Sequence, residues 1–209
     1  RRRHTRYSLQ SRGLGDVYKR QIEAYLRAHQ DVLDQTVSLD VPGFSIRDGV
    51  WIGEGVDLSP DAELVGPAVI GDNCRVGPNA RLGPYTVLGS NVRVRHDADM
   101  ERVIVGEHSY VGRGVTLRST VLSRNCDIRA RARCDSGVVL GDEVFIGPDA
   151  HLMPDVHVYP NKTIEGSATV NSSIIHESRG ARNLFGRTGV AGLANVDLTP
   201  ELAARVAMA

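Results

Sequence analysis

The chain has 209 residues, and its 25 basic and 25 acidic side chains give a formal net charge of zero. This balance argues against a nucleic acid or a membrane surface as the main partner. The sequence contains no apolar stretch near the roughly eighteen residues that cross a bilayer, so we predict no transmembrane segment.

Residues 1–21 differ in character from the rest of the chain. The first twenty carry six arginines and one lysine without apolar periodicity. The string Gly-Leu-Gly-Asp-Val-Tyr-Lys-Arg-Gln, which ends at Gln21, is similar to a translated sequencing adapter. We therefore leave residues 1–21 out of the fold prediction as non-native sequence, with a disordered basic arm as the alternative. The opening arginine, and an end at Ala209 inside an expected helix, lead us to expect a fragment of a longer protein.

The first predicted element is an amphipathic helix over residues 22–34. Apolar side chains and one histidine recur there at helical spacing along one face. They are Ile22, Tyr25, Leu26, His29, Val32 and Leu33. Residues 35–50, which include Pro42-Gly43, are predicted to form a linker.

Residues 51–176 form the largest predicted domain, built on a six-residue repeat of the form aliphatic-Gly-x-x-small-x. Neither the helical period of about 3.6 nor the strand period of about 2 explains this spacing, whereas a short strand followed by a sharp corner does. The aliphatic positions are six residues apart except for two five-residue steps. They are Ile52, Leu58, Leu64, Ile70, Val76, Leu82, Leu88, Val94, Met100, Val105, Val111, Leu117, Leu122, Ile128, Cys134, Leu140, Ile146, Leu152, Val158 and Ile164.

The corners of the repeat are rich in Gly, Pro and Asn, as in Gly77-Pro78-Asn79. Such residues favour bends, and Gly reaches backbone angles closed to other residues. Three strands close a triangle, so one coil takes eighteen residues and the aliphatic side chains stack into a continuous core. Cys74, Cys126 and Cys134 fall on inward positions and are predicted to be small buried hydrophobes. An odd number of cysteines in a core suits a reducing cytoplasm, where we expect the protein to be located.

This pattern resembles the hexapeptide-repeat family, whose fold is a left-handed parallel β-helix. The handedness comes from the resemblance and runs against the usual preference for right-handed crossovers. The predicted fold class is therefore all-β, a left-handed parallel β-helix of hexapeptide repeats with a short flanking helix at each end. Because open solenoid ends need capping, we expect the helix at 22–34 to cover the first coil and residues 170–185 to cover the last.

Both flanks resemble enzymes of sugar-phosphate metabolism. The stretch I-E-A-Y-L-R-A-H-Q-D-V-L-D at 22–34 is similar to the closing segment of sugar-phosphate nucleotidyltransferase catalytic domains. Residues 177–209 resemble a linker and the truncated start of a phosphohexomutase, through a Phe-Gly-x-x-Gly-Val pattern from Phe185 and a Leu-Thr-Pro-Glu-Leu string at 198–202. Thr199 and the residues after it suit the start of a second helix. Ala191 replaces the arginine of the mutase pattern, which puts mutase activity in doubt.

The order of nucleotidyltransferase end, β-helix and mutase-like start resembles a fused protein of the mannose-1-phosphate guanylyltransferase type. The resemblance implies a non-catalytic assembly or regulatory region of an enzyme that makes NDP-sugars from a sugar 1-phosphate and an NTP with Mg²⁺. The family's Gly-rich NTP loop and metal-binding Asp, and the mutase phosphoserine and metal loop, have no counterpart in this sequence. We therefore assign no catalytic, cofactor-binding or metal-binding residue. The expected partners are the chain's own catalytic domain and further copies in a homo-oligomer.

Two alternatives remain open, a hexapeptide-repeat acyltransferase and a pure scaffold or regulatory subunit. Acyl transfer needs a histidine base in a cleft, usually beside a protruding loop, and these repeats carry no inserted loop. A zinc carbonic anhydrase needs three converging histidines. His151 and His157 are six residues apart and fall on consecutive faces of the triangle. We interpret these two, together with His96 and His108, as surface histidines.

Outward positions carry two charge patterns. Arg81 lies one coil before Asp99, and Arg118 lies one shortened coil before Asp135, so each pair is predicted to form surface neighbours. Six arginines also crowd residues 113–133. They are Arg113, Arg118, Arg124, Arg129, Arg131 and Arg133. Because guanidinium pairs well with phosphate, this stretch is either an anion or nucleotide site, a partner surface, or a solvated face, and we favour the solvated face.

Overall fold

The computed structural model describes residues 22–37, 41 and 43–175, and the backbone of residues 179–180, 185–186 and 189–190. The expectations for residues 1–21 lie outside the described residues. The same holds for the mutase-like string at 198–202 and for the second flanking helix. No helix among the described residues is long and apolar enough to cross a membrane.

Short strands of the described residues form a three-sided parallel β-helix, which confirms the predicted left-handed fold. We name its faces A, B and C in chain order. Face A contains β1 (Phe44–Arg47), β2 (Val50–Ile52), β5 (Ala68–Ile70), β8 (Thr86–Leu88), β11 (Ile104–Val105), β14 (Val121–Leu122), β17 (Val139–Leu140) and β20 (His157–Val158). Face B contains β3 (Asp57–Leu58), β6 (Arg75–Val76), β9 (Arg93–Val94), β12 (Tyr110–Val111), β15 (Asp127–Ile128), β18 (Phe145–Ile146), β21 (Thr163–Ile164) and β23 (Arg179–Gly180). Face C contains β4 (Glu63–Leu64), β7 (Arg81–Leu82), β10 (Asp99–Glu101), β13 (Thr116–Arg118), β16 (Arg133–Cys134), β19 (His151–Leu152) and β22 (Thr169–Val170).

The segment before the coils contains regular secondary structure. Helix α1 runs through residues 22–33, close to the predicted helix at 22–34. Residues 35–50, predicted as a linker, contain β1, which pairs antiparallel with β2. The turn between them passes through Gly49 at a φ of 69°, a conformation that glycine adopts at no steric cost. A second antiparallel pair joins β24 (Phe185–Gly186) and β25 (Gly189–Val190).

The core of the prism is built from the predicted inward positions. Leu82, Met100 and Leu117 stack in register on face C and are fully buried. The small residue two positions before an inward aliphatic, such as Ala80, is buried as well. Ile174 adds to this core beyond the last full coil and is 7 % exposed, so it covers part of the open end.

The corners bend at a residue other than the repeat glycine. In one coil the three left-handed residues are Asn73, Asn79 and Tyr85, with φ of 54°, 54° and 59°. Gly71, two residues before Asn73, has no positive φ, but a Cβ there would lie 2.7 Å from the carbonyl carbon of Gly89 in the next coil. The prediction is thus right for asparagine, which tolerates this conformation. It is wrong for Gly71, where the close approach of two coils excludes a side chain.

Candidate functional site

Face A differs from the other faces on its outer side. Outward residues of a half-buried sheet are normally polar, but the residue before each inward aliphatic of face A is apolar from β2 to β17. Each of these side chains is buried or half-buried. They are Trp51, Val69, Val87, Ile104, Val121 and Val139, and neighbours among them are in register. We call these six residues the apolar row.

Helix α1 lies along the apolar row. Leu33 on the helix is 5 % exposed and Ile104 in the row is 8 % exposed, yet neither belongs to the core of the prism. Tyr25 lines a groove together with Val87 and Val121. A second apolar layer therefore forms between the helix and face A. Twelve helical residues are about 18 Å long, which is nearly four coil spacings of about 4.8 Å.

The two ends of α1 lie at different coils. Just past its C-terminal end, Asp34 accepts a hydrogen bond from the Tyr85 hydroxyl, with oxygen–oxygen distances of 3.0 and 3.2 Å. At the other end, Ile22 lines a cavity of 460 Å³ together with Pro154 and His157. The expectation that this helix covers the first coil is therefore wrong. The helix follows the apolar row because that surface is where its own apolar face can be buried.

The inward positions alone do not reveal the apolar row. Its members are separated by 18, 18, 17, 17 and 18 residues, which is the length of each coil. The equivalent outward positions on face C hold charged side chains such as Arg81, Asp99 and Arg133. Comparing outward positions face by face would therefore have identified face A as the surface that is covered.

Face C carries a ladder of alternating charges. Arg81 lies between Glu63 and Asp99, with nitrogen–oxygen distances of 3.5 and 3.4 Å, so the predicted Arg81–Asp99 contact is confirmed. Arg118 also binds the Asp99 carboxylate and donates to its backbone carbonyl at 3.0 Å. Partial burial raises the pKa of Asp99, but the hydrogen bonds and charges of the two arginines outweigh burial and leave this pKa below its ordinary value.

Arg118 and Asp135 directly follow the paired residues Leu117 and Cys134, so they are neighbours on adjacent coils as predicted, but among the described residues each forms its ion pairs with other side chains. Asp135 accepts a hydrogen bond from Nε of Arg133 at 2.8 Å, and its other oxygen lies 2.8 Å from Nε2 of His151. Burial raises the pKa of Asp135, but Arg133 and His151 outweigh this effect and hold the pKa below its ordinary value. Arg118 turns toward the preceding coil because Asp99 offers it both a carboxylate and a backbone carbonyl.

The arginine-rich stretch at 113–133 is compensated within the chain. Five of its six guanidinium groups contact a carboxylate. The pairs are Arg118 with Asp99, Arg124 with Asp142, Arg129 with Asp127, Arg131 with Asp149, and Arg133 with Asp135. The guanidinium carbon of Arg129 also lies 5.5 Å from the ring centroids of Tyr110 and Phe145. Because paired guanidinium groups are not available to a phosphate, this geometry favours the surface interpretation over an anion site.

The histidines of the β-helix do not converge. His96 lies 2.7 Å from the adjacent Asp97, and His108 lies 3.4 Å from Asn91. Burial lowers the pKa of His157. Within the described residues, no group of three His, Cys, Asp or Glu side chains is placed to hold a metal ion. The assignment of no catalytic, cofactor or metal residue stays a prediction.

All three cysteines are buried free thiols, as predicted. Desolvation raises the pKa of Cys126 to about 11 and that of Cys134 to about 12. Desolvation also raises the pKa of Cys74. Since the thiolate is the form that attacks electrophiles and binds metals, these side chains fit the role of small hydrophobes.

Solved structures share the fold. The UDP-N-acetylglucosamine acyltransferase from Campylobacter jejuni is 19 % identical and has a TM-score of 0.52, over 65 % of this chain and 68 % of that one. LpxA from Acinetobacter baumannii is 11 % identical with a TM-score of 0.40, over 65 % and 71 %. The first likeness shows the fold alone. A search among curated proteins found none that matches this sequence.

The family comparison is more specific. The family described as the GMPPB C-terminal domain matches residues 64–175, which is more than half of the 209 residues. The match extends from the end of β4 through the last described coil. The chain therefore belongs to the GMPPB C-terminal domain family.

Proposed function

We propose that this chain is the non-catalytic β-helix region of a sugar-1-phosphate nucleotidyltransferase of the mannose-1-phosphate guanylyltransferase type. Its role is the assembly or regulation of an enzyme that makes nucleotide sugars in the cytoplasm. The observation that carries the proposal is the packing of α1 along the apolar row. Membership in the GMPPB C-terminal domain family supports the same interpretation.

The packing of α1 gives the proposal its physical content. The helix carries the segment that resembles the end of nucleotidyltransferase catalytic domains. Leu33 is buried and Asp34 is hydrogen-bonded to Tyr85, so the helix is bound to the prism rather than tethered to it. A catalytic domain that ends in this helix would be held at a fixed position against face A. The mutase-like start at 177–209 remains part of the proposed parent.

We also propose that the first coil contributes to a homo-oligomer. Strand β1 is the outermost strand of face A, and within the described part of the chain its partner in that sheet is β2. Phe44 is 62 % and Ile46 is 49 % exposed on this edge strand. An exposed apolar edge strand offers unpaired backbone groups and apolar area to another chain. A second copy of the same coil is the partner that we propose.

The first test addresses catalysis. The chain is incubated with mannose 1-phosphate, GTP and Mg²⁺, and released pyrophosphate is measured. We expect no turnover, because the resemblance places the NTP loop and the metal-binding Asp in the catalytic domain. Formation of GDP-mannose by this chain alone would overturn the non-catalytic assignment.

The second test addresses the apolar row and uses the full-length parent protein. Ile104→Asp places a carboxylate under α1, and Thr163→Asp places one at an exposed outward position of face B. Because burying a charge is costly, we expect Ile104→Asp to release α1, to expose residues 35–50 to limited proteolysis and to lower nucleotide-sugar synthesis. The control variant should behave like the parent. Equal proteolysis and activity in both variants would contradict the role of face A.

One observation favours a second candidate, the hexapeptide-repeat acyltransferase. His151 lies 2.8 Å from the Asp135 carboxylate, and a histidine oriented by a carboxylate can act as a general base. Titration calorimetry with acetyl-CoA separates the candidates. Binding of acetyl-CoA to this chain would favour the acyltransferase. Absence of binding, with a normal far-ultraviolet circular dichroism spectrum, would exclude it in favour of the assembly region.

A further inference from the structure

We propose that a groove on face B binds a diphosphate-bearing anion between Arg75 and Arg93. The inference goes beyond the assembly role above and does not depend on it. The arginine-rich stretch at 113–133 is not the proposed site, because five of its six guanidinium groups are paired with carboxylates. Two guanidinium groups that form no ion pair with any described carboxylate lie elsewhere, on the second and third coils.

Arg75 and Arg93 form a like-charged pair in register. They are Cα partners on the adjacent strands β6 and β9, and both are exposed outward residues. Like charges directly opposite each other on neighbouring strands are destabilising. Neither guanidinium lies within ion-pair distance of a carboxylate among the described residues. By contrast, Nε of Arg131, at the corner between faces B and C, lies 2.6 Å from the Asp149 carboxylate. The repulsion between the two arginines is therefore left for a bound anion to relieve.

The residues around this pair complete a polar groove. Its volume is 480 Å³, and besides the two arginines it is lined by Asn73, Asn91, His108, Ser109 and Tyr110. None of these lining residues is acidic. The Asn91 amide nitrogen lies 3.4 Å from Nε2 of His108, so the corner side of the groove presents amide and imidazole groups. The side-chain amide groups of Asn73 and Asn91 can donate hydrogen bonds to phosphoryl oxygens.

Two features limit where an anion can sit. Asp57 is in register with Arg75 on the preceding coil, and Asp127 is in register with Tyr110 on the following one. Asp127 is bound by Arg129 at 2.7 Å, so its charge is already compensated. The Ser109 hydroxyl accepts from the backbone N–H of Cys126 at 3.1 Å and is not needed for a ligand. At the corner, the Glu107 carboxylate lies 3.9 Å from Nδ1 of His108, so the positive region is confined to the two arginines.

The spacing of the arginines indicates two linked phosphoryl groups rather than one. Adjacent strands lie about 4.8 Å apart, so the two guanidinium groups can each face one phosphoryl group of a diphosphate. Guanidinium is planar and binds phosphate oxygens through two parallel hydrogen bonds. A diphosphate offers the two arginines more negative charge and more acceptor oxygens than a single phosphate does. We therefore expect a preference for diphosphates, whether free pyrophosphate or a nucleoside diphosphate.

The test is titration calorimetry on the chain in a low-salt buffer without phosphate, with EDTA present. The probes are inorganic pyrophosphate, GDP and inorganic phosphate. We expect pyrophosphate to bind at least about tenfold more tightly than phosphate, because it brings more negative charge and a separate phosphoryl group for each arginine. Tighter binding of GDP than of pyrophosphate would identify the source as a nucleotide, and the reverse would identify free pyrophosphate. Equal affinity for pyrophosphate and phosphate, or no binding of pyrophosphate at millimolar concentration, would overturn the proposal.

Variants tie the binding to the groove. Arg75→Gln and Arg93→Gln should each weaken pyrophosphate binding by at least about tenfold, and the double variant should abolish it. The control is Arg131→Gln, an exposed arginine on the same prism that is paired with Asp149. It should bind pyrophosphate like the parent chain. Both arginines are exposed, so the variants should keep the parent's melting temperature, and pyrophosphate binding retained by a folded double variant would refute the site.

Discussion

Replacing Leu117 with alanine tests the packed prism at its centre. Leu117 is fully buried on β13, in register with Met100 on the coil before and with Cys134 on the coil after. Both neighbours are also fully buried. Truncating the side chain therefore removes apolar contacts on two sides and leaves a cavity inside a continuous column.

The magnitude follows from how far the column can relax. Buried Leu→Ala changes cost roughly 2.7–5.0 kcal/mol, and the value rises with the volume of the cavity that remains. Met100 is flexible enough to move partly into the space, whereas Cys134 is too small to do so. We therefore expect a loss of about 3 kcal/mol in the free energy of unfolding. For a chain of this size, that corresponds to a fall in melting temperature of roughly 6–12 °C.

The assay is urea unfolding followed by far-ultraviolet circular dichroism. Thr116→Ala is the matched control, because Thr116 precedes Leu117 on the same strand and is only half-buried. Its loss of β-propensity should cost less than about 1 kcal/mol. If Leu117→Ala were no more destabilising than Thr116→Ala, the inward and outward assignment of the repeat would be refuted.

Three further predictions concern charge, docking and thiols. The pKa of Asp99 is held below its ordinary value of 3.8, so its carboxylate stabilises the fold above that pH, and this contribution is lost as the pH falls through the folded pKa. The destabilisation caused by Asp99→Asn, measured by urea unfolding, should therefore shrink below about pH 4; a constant difference would contradict the linkage. Tyr85→Phe removes the hydrogen bond to Asp34, so amide hydrogens of α1 should exchange faster while those of the coils do not change. Equal exchange rates of α1 in Tyr85→Phe and in the parent would show that this hydrogen bond does not hold the helix. Cys126 and Cys134, with raised pKa and full burial, should not react with a thiol reagent at about pH 8 until urea unfolds the chain, and rapid reaction of the native chain would place them at the surface.

The spacing of the aliphatic residues was enough to predict the prism. Met100 and Cys134 occupy inward positions that their residue types alone would not assign, and both are fully buried. The two five-residue steps also have a simple structural account. They fall at the corner from face C to face A in two consecutive coils, where Arg102 and Ser119 take the left-handed position of Tyr85. One corner residue is missing from each coil, so the coils stay in register.

The outward contacts were less predictable, because neighbouring positions do not fix which side chains touch. Arg118 was placed next to Asp135 by the length of a coil, but a long side chain can reach either the coil before or the coil after. Arg118 binds Asp99 because Asp99 offers both a carboxylate and a backbone carbonyl, whereas Asp135 is already bound by Arg133 and His151. The docking of α1 was also missed, since it depends on two apolar surfaces that are far apart in sequence.

The outward-facing side chains, rather than the core, distinguish between the possible functions of this β-helix. An acyltransferase shares the fold at 19 % identity, so the inward pattern that builds the prism leaves the activity open. Here the apolar row lies on face A and the arginine pair lies on face B, with the packed core between them. Ile104→Asp should therefore leave pyrophosphate binding intact, and Arg75→Gln should leave α1 docked. A variant that altered both properties would have disturbed the prism itself, because distant sites without shared contacts respond independently.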